Sequence, residues 1–294
     1  MIKRLFASRK RPYIPFRDQP ERVQINLSGT IITMDLLPHM DYEGFKADHL
    51  PTHVNVFDDK TYNNTNHLPV WQRSDSAMKS IHARDWELLG PPWRSRPFGS
   101  ITFAITLMRT DQMPEAMSCF NPAHFEQLVL RSAHSRGPAS PEYAKVKAPV
   151  NWRLHEQNGN TWIYYETRKD FSDFTTAPLP FSETQVDSTL HIPLGDRHYL
   201  FINFSYLGYA PAKYSFAHMN KIRDAVCKSI ECQLSPSAQQ QLISAREQWP
   251  TAKAQPEREP EPWRYPEWRR GDRDKGEEDI LIIKPGSPAP SYNN

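Results

Sequence analysis

Glycine supplies only 11 of the 294 residues, against 27 prolines. No Walker loop or Rossmann glycine fingerprint is present, which excludes the Gly-rich backbone cradles that hold phosphate in nucleotide enzymes. A nucleophile elbow and a HExxH zinc motif are also missing. Cysteine is limited to Cys119, Cys227 and Cys232, an odd count without a CxxC pair. That excludes a disulfide framework and implies reduced thiols. Cys227 and Cys232 would stand about 140° apart on a helix and form no local pair. No run approaches the ~20 apolar residues that a membrane-spanning helix needs. The basic start, MIKRLFASRKRPYIPF, has no apolar core of a secretory signal, so a cytoplasmic protein is expected. The lack of acids before Asp18 leaves a mitochondrial presequence as the alternative.

Charge of one sign is also lacking, since the formal net charge is only +2. It is unevenly spread. Residues 1–22 hold seven Lys/Arg and two acids, whereas residues 251–294 hold eight Lys/Arg and nine acids. The body between them is close to neutral, so no nucleic-acid footprint is expected.

Aromatic residues are plentiful at 12%, which marks a packed core rather than a disordered chain. VQINL and TIITMDL flank Ser28-Gly29 and read as a hairpin. THVNVFDD reads as a short strand. SDSAMKSIHARDWELLG reads as a helix entered at Ser74 or Asp75 and stopped by Gly90-Pro91-Pro92. GSITFAITLMRT alternates as a central strand, with Ile101, Phe103, Ile105 and Leu107 on one face. NPAHFEQLVLRSAHSRG has Asn121 as cap, Pro122 at the first helical position and Gly137 as stop.

Two further hairpins follow, turning at Asn158-Gly159 and near Gly195-Asp196. Phe216, Met219, Ile222, Val226 and Ile230 then form one helical stripe. Ser235-Pro236 opens a last helix, to about Trp249. Together these signals predict an α+β fold, with a mostly antiparallel sheet of about seven strands and three or four helices packed on it. The predicted organisation is a basic arm at 1–22, one α+β domain at 23–250 and an extended Pro/Trp/Arg-rich arm at 251–294.

Candidate chemistry is sparse. His39, Asp41, Glu43, Asp48, His49 and His53 cluster in sequence, but Pro51 breaks the helix that would align His49 with His53. Loop histidines are the expectation, and neither a metal nor a cofactor is expected. A hydrolase or metal-dependent enzyme using His39, Asp41, His49 and His53 is the rival reading. Asp196 and His198 place an acid and a base in one turn, which is expected to be surface turn chemistry.

Aromatics concentrate at Trp152, Trp162, Tyr164 and Tyr165, and again from Tyr199 to Tyr209. Period 2 places Trp162 and Tyr164 on one face and Ile163 and Tyr165 on the other. Either both faces are covered, or Trp162 and Tyr164 lie on an open face for a protein partner. In the arm, Trp263, Tyr265 and Trp268 lie among prolines, and Ile280 to Ile283 form a short strand signal. Such an arm docks by aromatic anchoring and strand addition on a partner or on its own sheet; on the first reading, Trp263, Tyr265, Trp268, Ile280 and Ile282 are candidate partner contacts.

The succession HYLFINFSY, FAHMNKIRDAVCKSI and LSPSAQQQLISAREQW resembles the carboxy-terminal part of cytosolic immunity or accessory proteins of bacterial contact-dependent and type VI secreted toxins. It is also similar to the final strand and helix of Mog1/PsbP-like α+β sandwiches. The likeness covers less than a third of the chain and carries over no functional residue. It implies a non-catalytic role in binding a protein, either neutralising a toxin or handling an effector.

Overall fold

The structure, a computed structural model, describes residues 2–40, 49–63, 76–135, 145–170, 184–208, 212–259 and 261–262. A short helix, α1 (Ile2–Leu5), precedes the hairpin of β1 (Glu21–Leu27) and β2 (Thr30–Leu36). Ser28 and Gly29 both adopt positive φ, at 50° and 94°. That backbone matches the twist of a two-residue hairpin turn. Next come β3 (His53–Val54), a 3₁₀ turn at Asp59–Thr61, β4 (Ala77–Leu88) and β5 (Gly99–Arg109). α2 (Pro122–Ser135) follows, capped by Asn121, whose Oδ1 accepts from the amides of Ala123 and His124. The strands β6 (Lys145–Gln157), β7 (Asn160–Asp170), β8 (Thr184–Pro193) and β9 (His198–Gly208) form the two later hairpins. The chain continues through α3 (Ala212–Ser229), β10 (Glu231–Gln233), α4 (Pro236–Gln248) and β11 (Glu261–Pro262).

Two sheets form where one was expected. Six long strands make an antiparallel sheet in the order β6-β7-β8-β9-β5-β4, and the two-residue β11 adds beside β6. The second sheet, in the order β10-β2-β1-β3, is mixed, because β3 pairs parallel to β1. Its inward residues Ile25, Leu27, Ile32 and Met34 join one core with Ile101, Phe103, Ile105 and Leu107 of β5. Met219, Ile222 and Val226 of α3 close that same core. On the opposite face of the large sheet, Phe125, Leu128 and Val129 of α2 pack on Ile163, Tyr165 and Tyr199. The architecture is therefore layered as α2, large sheet, then small sheet with α3.

The segment read as a helix from Ser74 is the edge strand β4, antiparallel to β5. Its register shifts between Ser80 and His82. A bulge there moves the inward set from Ile81 to His82, Arg84, Trp86 and Leu88. Arg84 is satisfied inside by the Leu37 carbonyl at 2.7 Å and by Glu21 at 3.0 Å. Two inward polar residues and one bulge erase the alternation that marks a strand.

Both flanks of the expected 23–250 body touch it. Tyr13 exchanges two backbone hydrogen bonds with Leu89, and Ile14 is buried. Trp152 Nε1 donates to the Gln255 carbonyl at 2.7 Å, and Arg258 pairs with Glu126 of α2 at 2.8 Å. No helix among the described residues is long and apolar enough to cross a membrane.

Candidate binding groove

The turn of the β8–β9 hairpin does not project into solvent. Leu194 to His198 line a cavity of about 560 Å³, together with the β1–β2 turn, Val56 and Phe57, the loop 115–118 and one face of α4. Packing brings the two turns to the helix. Thr30 Oγ1 accepts from the Ser235 amide at 3.0 Å, and a side chain on Gly29 would meet Ser235 Cβ at 3.2 Å. Gln241 Oε1 accepts from the Asp196 amide at 3.0 Å. The helix itself starts at a designed boundary: Ser235 Oγ accepts from the Ala238 amide, and Pro236 occupies the first turn.

Helical spacing then sorts α4 into two faces. Ala238, Leu242 and Ala245 are buried with Phe120. Ser237, Gln241, Ser244 and Gln248 step by 4, 3 and 4 and line the cavity. That stripe carries hydroxyls and amides without a charge, and Trp249 ends it. Its amides and hydroxyls both donate and accept. Phe57 also lines the cavity and is largely exposed.

The acid and base of the turn do not converge. Asp196 Oδ1 accepts a 2.5 Å bond from Ser118 Oγ, and the Asp196 carbonyl accepts from the Cys119 amide. The Ser118 hydroxyl also accepts from the Phe120 amide at 3.0 Å. It is a buried clamp between the loop and the turn, with its proton committed to Asp196. Arg197 Nη1 donates to the Met113 carbonyl at 2.6 Å, extending the clamp. His198 instead packs edge-on to Phe57 at 5.7 Å and tilted on Tyr62 at 6.2 Å. Burial, then the positive charge of Arg109, hold its imidazole down to about 4. A neutral ring between aromatic neighbours is a packing element of the groove wall. Arg109 itself stacks over Tyr62 and pairs with Asp59 and Asp111.

The remaining candidates are placed as follows. Trp162 and Tyr164 are each 4% exposed, in the core shared by the two sheets and α3. Contrary to the expectation of an open aromatic face, Trp162 and Tyr164 are covered by the small sheet and α3. His39 Nδ1 accepts from the Asp85 amide at 3.1 Å, binding the 37–40 strap to the edge of β4. His49 and His53 are exposed. Asp41, Glu43 and Asp48 lie outside the described residues, as do Trp263, Tyr265, Trp268, Ile280 and Ile282. Among the described residues, no three His, Cys, Asp or Glu side chains gather to hold a metal ion. Cys119, Cys227 and Cys232 are free thiols, and burial pushes all three up, the latter two to about 12.

Sequence reading found the Asp196–His198 turn but not the stripe on α4. The signal was present: Ser and Gln alone occupy positions 237, 241, 244 and 248, beside the apolar face of Ala238, Leu242 and Ala245. No known family model matches the chain, and no curated protein matches it either.

Proposed function

We propose that this chain is a non-catalytic protein-binding protein that holds an extended segment of its partner in the groove along α4. The uncharged stripe of Ser237, Gln241, Ser244 and Gln248 carries this reading. From Ser237 to Gln248 the helix rises about 16 Å. An extended peptide of about five residues spans that length at ~3.3 Å per residue. A peptide main chain offers one donor and one acceptor per residue, and amides and hydroxyls answer both. Phe57 and Trp249 flank the stripe as apolar contacts for alternate side chains.

The more concrete form is an immunity or effector-adaptor role in a bacterial secretion system. It is supported by the likeness of the β9–α3–α4 stretch, which contains the groove helix. The arm residues Trp263, Tyr265, Trp268, Ile280 and Ile282 are proposed as a second contact to the same partner.

Selection of displayed peptides on the immobilised full chain tests the groove. The expected result is a set of uncharged sequences that bind wild type at micromolar concentration and lose at least about tenfold in affinity to Ser244→Trp. Selected peptides that bind Ser244→Trp and wild type alike would contradict the reading, as would the failure of any peptide to enrich.

A further inference from the structure

A second surface has a different chemistry. The Tyr13–Leu89 bridge and the Arg4 Nε bond to the Gly90 carbonyl, 3.1 Å long, lay the basic arm against the loop that follows β4. Ala7 and Ser8 of the arm and Pro91, Trp93, Arg94 and Arg96 of the loop border one open concavity of about 540 Å³. On the same two segments, Ile2, Phe6 and Trp93 are 75%, 78% and 75% exposed, and Leu5 is 48% exposed. Ile2, Phe6 and Trp93 have the largest apolar exposures of the described residues. The same two segments are cationic. Residues 2–17 contain six Lys/Arg and residues 90–98 contain two, and neither holds an acid. The first acid, Asp18, pairs with Lys3 at 3.5 Å. Arg94 is held over the Phe98 ring at 4.6 Å, which keeps its charge beside Trp93.

We propose that this face rests on an anionic lipid surface, with Ile2, Leu5, Phe6 and Trp93 entering the interface and the surrounding Lys and Arg meeting the headgroups. The pairing of large apolar tips with charge of one sign on the same segments is what such a surface selects. Apolar tips gain by leaving water, Trp is at home at the headgroup level, and each cation is attracted to the negative leaflet. A single-stranded polynucleotide fits less well. It would use Trp93, Phe6 and the arginines for stacking and phosphate contact, but would leave Ile2 and Leu5 in water. The inference is independent of the groove on α4, since the two share no residue.

Sedimentation of the full chain with vesicles tests it. Wild type is expected to bind vesicles rich in phosphatidylglycerol and to pass over pure phosphatidylcholine. Binding should weaken on raising salt from ~0.1 M to ~0.5 M, as the Debye length shortens. Phe6→Ser/Trp93→Ser and, separately, Arg94→Glu/Arg96→Glu should each weaken vesicle binding by at least about tenfold. Phe6→Ser/Trp93→Ser should melt with wild type, because both side chains are exposed, whereas Arg94 is half-buried over Phe98, so binding by the Arg94→Glu/Arg96→Glu variant is compared at a temperature where circular dichroism shows it folded. Equal binding to neutral vesicles, unchanged binding by both variants, or tighter binding to a single-stranded oligonucleotide than to anionic vesicles would overturn the proposal.

Discussion

Arg223 of α3 reaches Glu166 of β7 at 2.7 Å, with both side chains 5% exposed. The pair is embedded in a fully engaged polar cluster. Tyr164 donates to the same Glu166 oxygen at 2.7 Å, and Asn151 Nδ2 donates to the other at 2.7 Å. The remaining guanidinium nitrogens meet Asp224 at 2.9 and 2.8 Å. Burial and the neighbouring carboxylate hold the Tyr164 phenol far above its ordinary value. The pair fixes where α3 rests on the sheet, because only one register of the helix brings Arg223 over Glu166.

Arg223→Met is therefore expected to destabilise the protein by about 3–5 kcal/mol, since it leaves a buried carboxylate without its cation. The double variant Arg223→Met/Glu166→Gln should cost less than Arg223→Met alone. Urea midpoints of the three proteins check this. A single variant no worse than the double one would show that the charges do not depend on each other.

Ile222, one position before Arg223, faces the shared core with Met219 and Val226. Ile222→Asp would bury an unpaired charge there, at a cost of several kcal/mol, enough to unfold a domain of ordinary stability. A variant melting within a degree or two of wild type would show that α3 does not dock by this stripe.

Ending the chain at residue 250 removes Gln255 and Arg258. Trp152 Nε1 then loses its acceptor, and buried Glu126 loses both Arg258 and the Gln255 amide at 2.8 Å. Truncation at 250 should lower stability by about 2–4 kcal/mol, measured by urea unfolding. Truncation at 259, which keeps these contacts, should leave most of it intact. Equal stability of the two truncations would place the contacts outside the folding unit.

Much of this was legible in the sequence, for local reasons. Ser28-Gly29 and Asn158-Gly159 announce their hairpins because each turn needs backbone with positive φ, which Gly, Asn and Ser tolerate. The stripe from Phe216 to Ile230 is regular because one helix face meets one core. What failed was non-local. β4 was hidden by its bulge and by inward His82 and Arg84. The small sheet is completed by β10, where Cys232 pairs with Ile32 across 200 residues of chain, and no local pattern encodes that pairing. The groove is assembled from five separated segments, so only its α4 stripe leaves a trace in one stretch of sequence. Period 2 puts Trp162 and Tyr164 on one face, as in the structure, but a strand alone does not reveal what covers it.

The partly buried imidazole of His198 gives a pH dependence. Its folded value, about 4, lies below the ordinary value of 6.5. Between these the unfolded chain takes up a proton that the folded one refuses. The contribution is therefore complete above pH ~6.5 and is lost as pH falls towards 4. His198→Phe, which keeps a ring against Phe57 and Tyr62, should flatten stability against pH in that window by up to about 1 kcal/mol per pH unit. His124 and His155, also lowered by burial, retain part of the slope. An unchanged slope would mean that the ring is protonated in the folded protein.

The groove on α4 is the central claim, and a photo-crosslinking amino acid in place of Ser244 tests it most directly in a lysate of the native host. Ser244 lines the cavity, while its neighbour Ile243 is exposed elsewhere on the helix and serves as the control. The account predicts one dominant protein adduct from position 244, competed away by excess unlabelled wild type and absent from position 243. Equal adducts from both positions, or none from position 244, would contradict it.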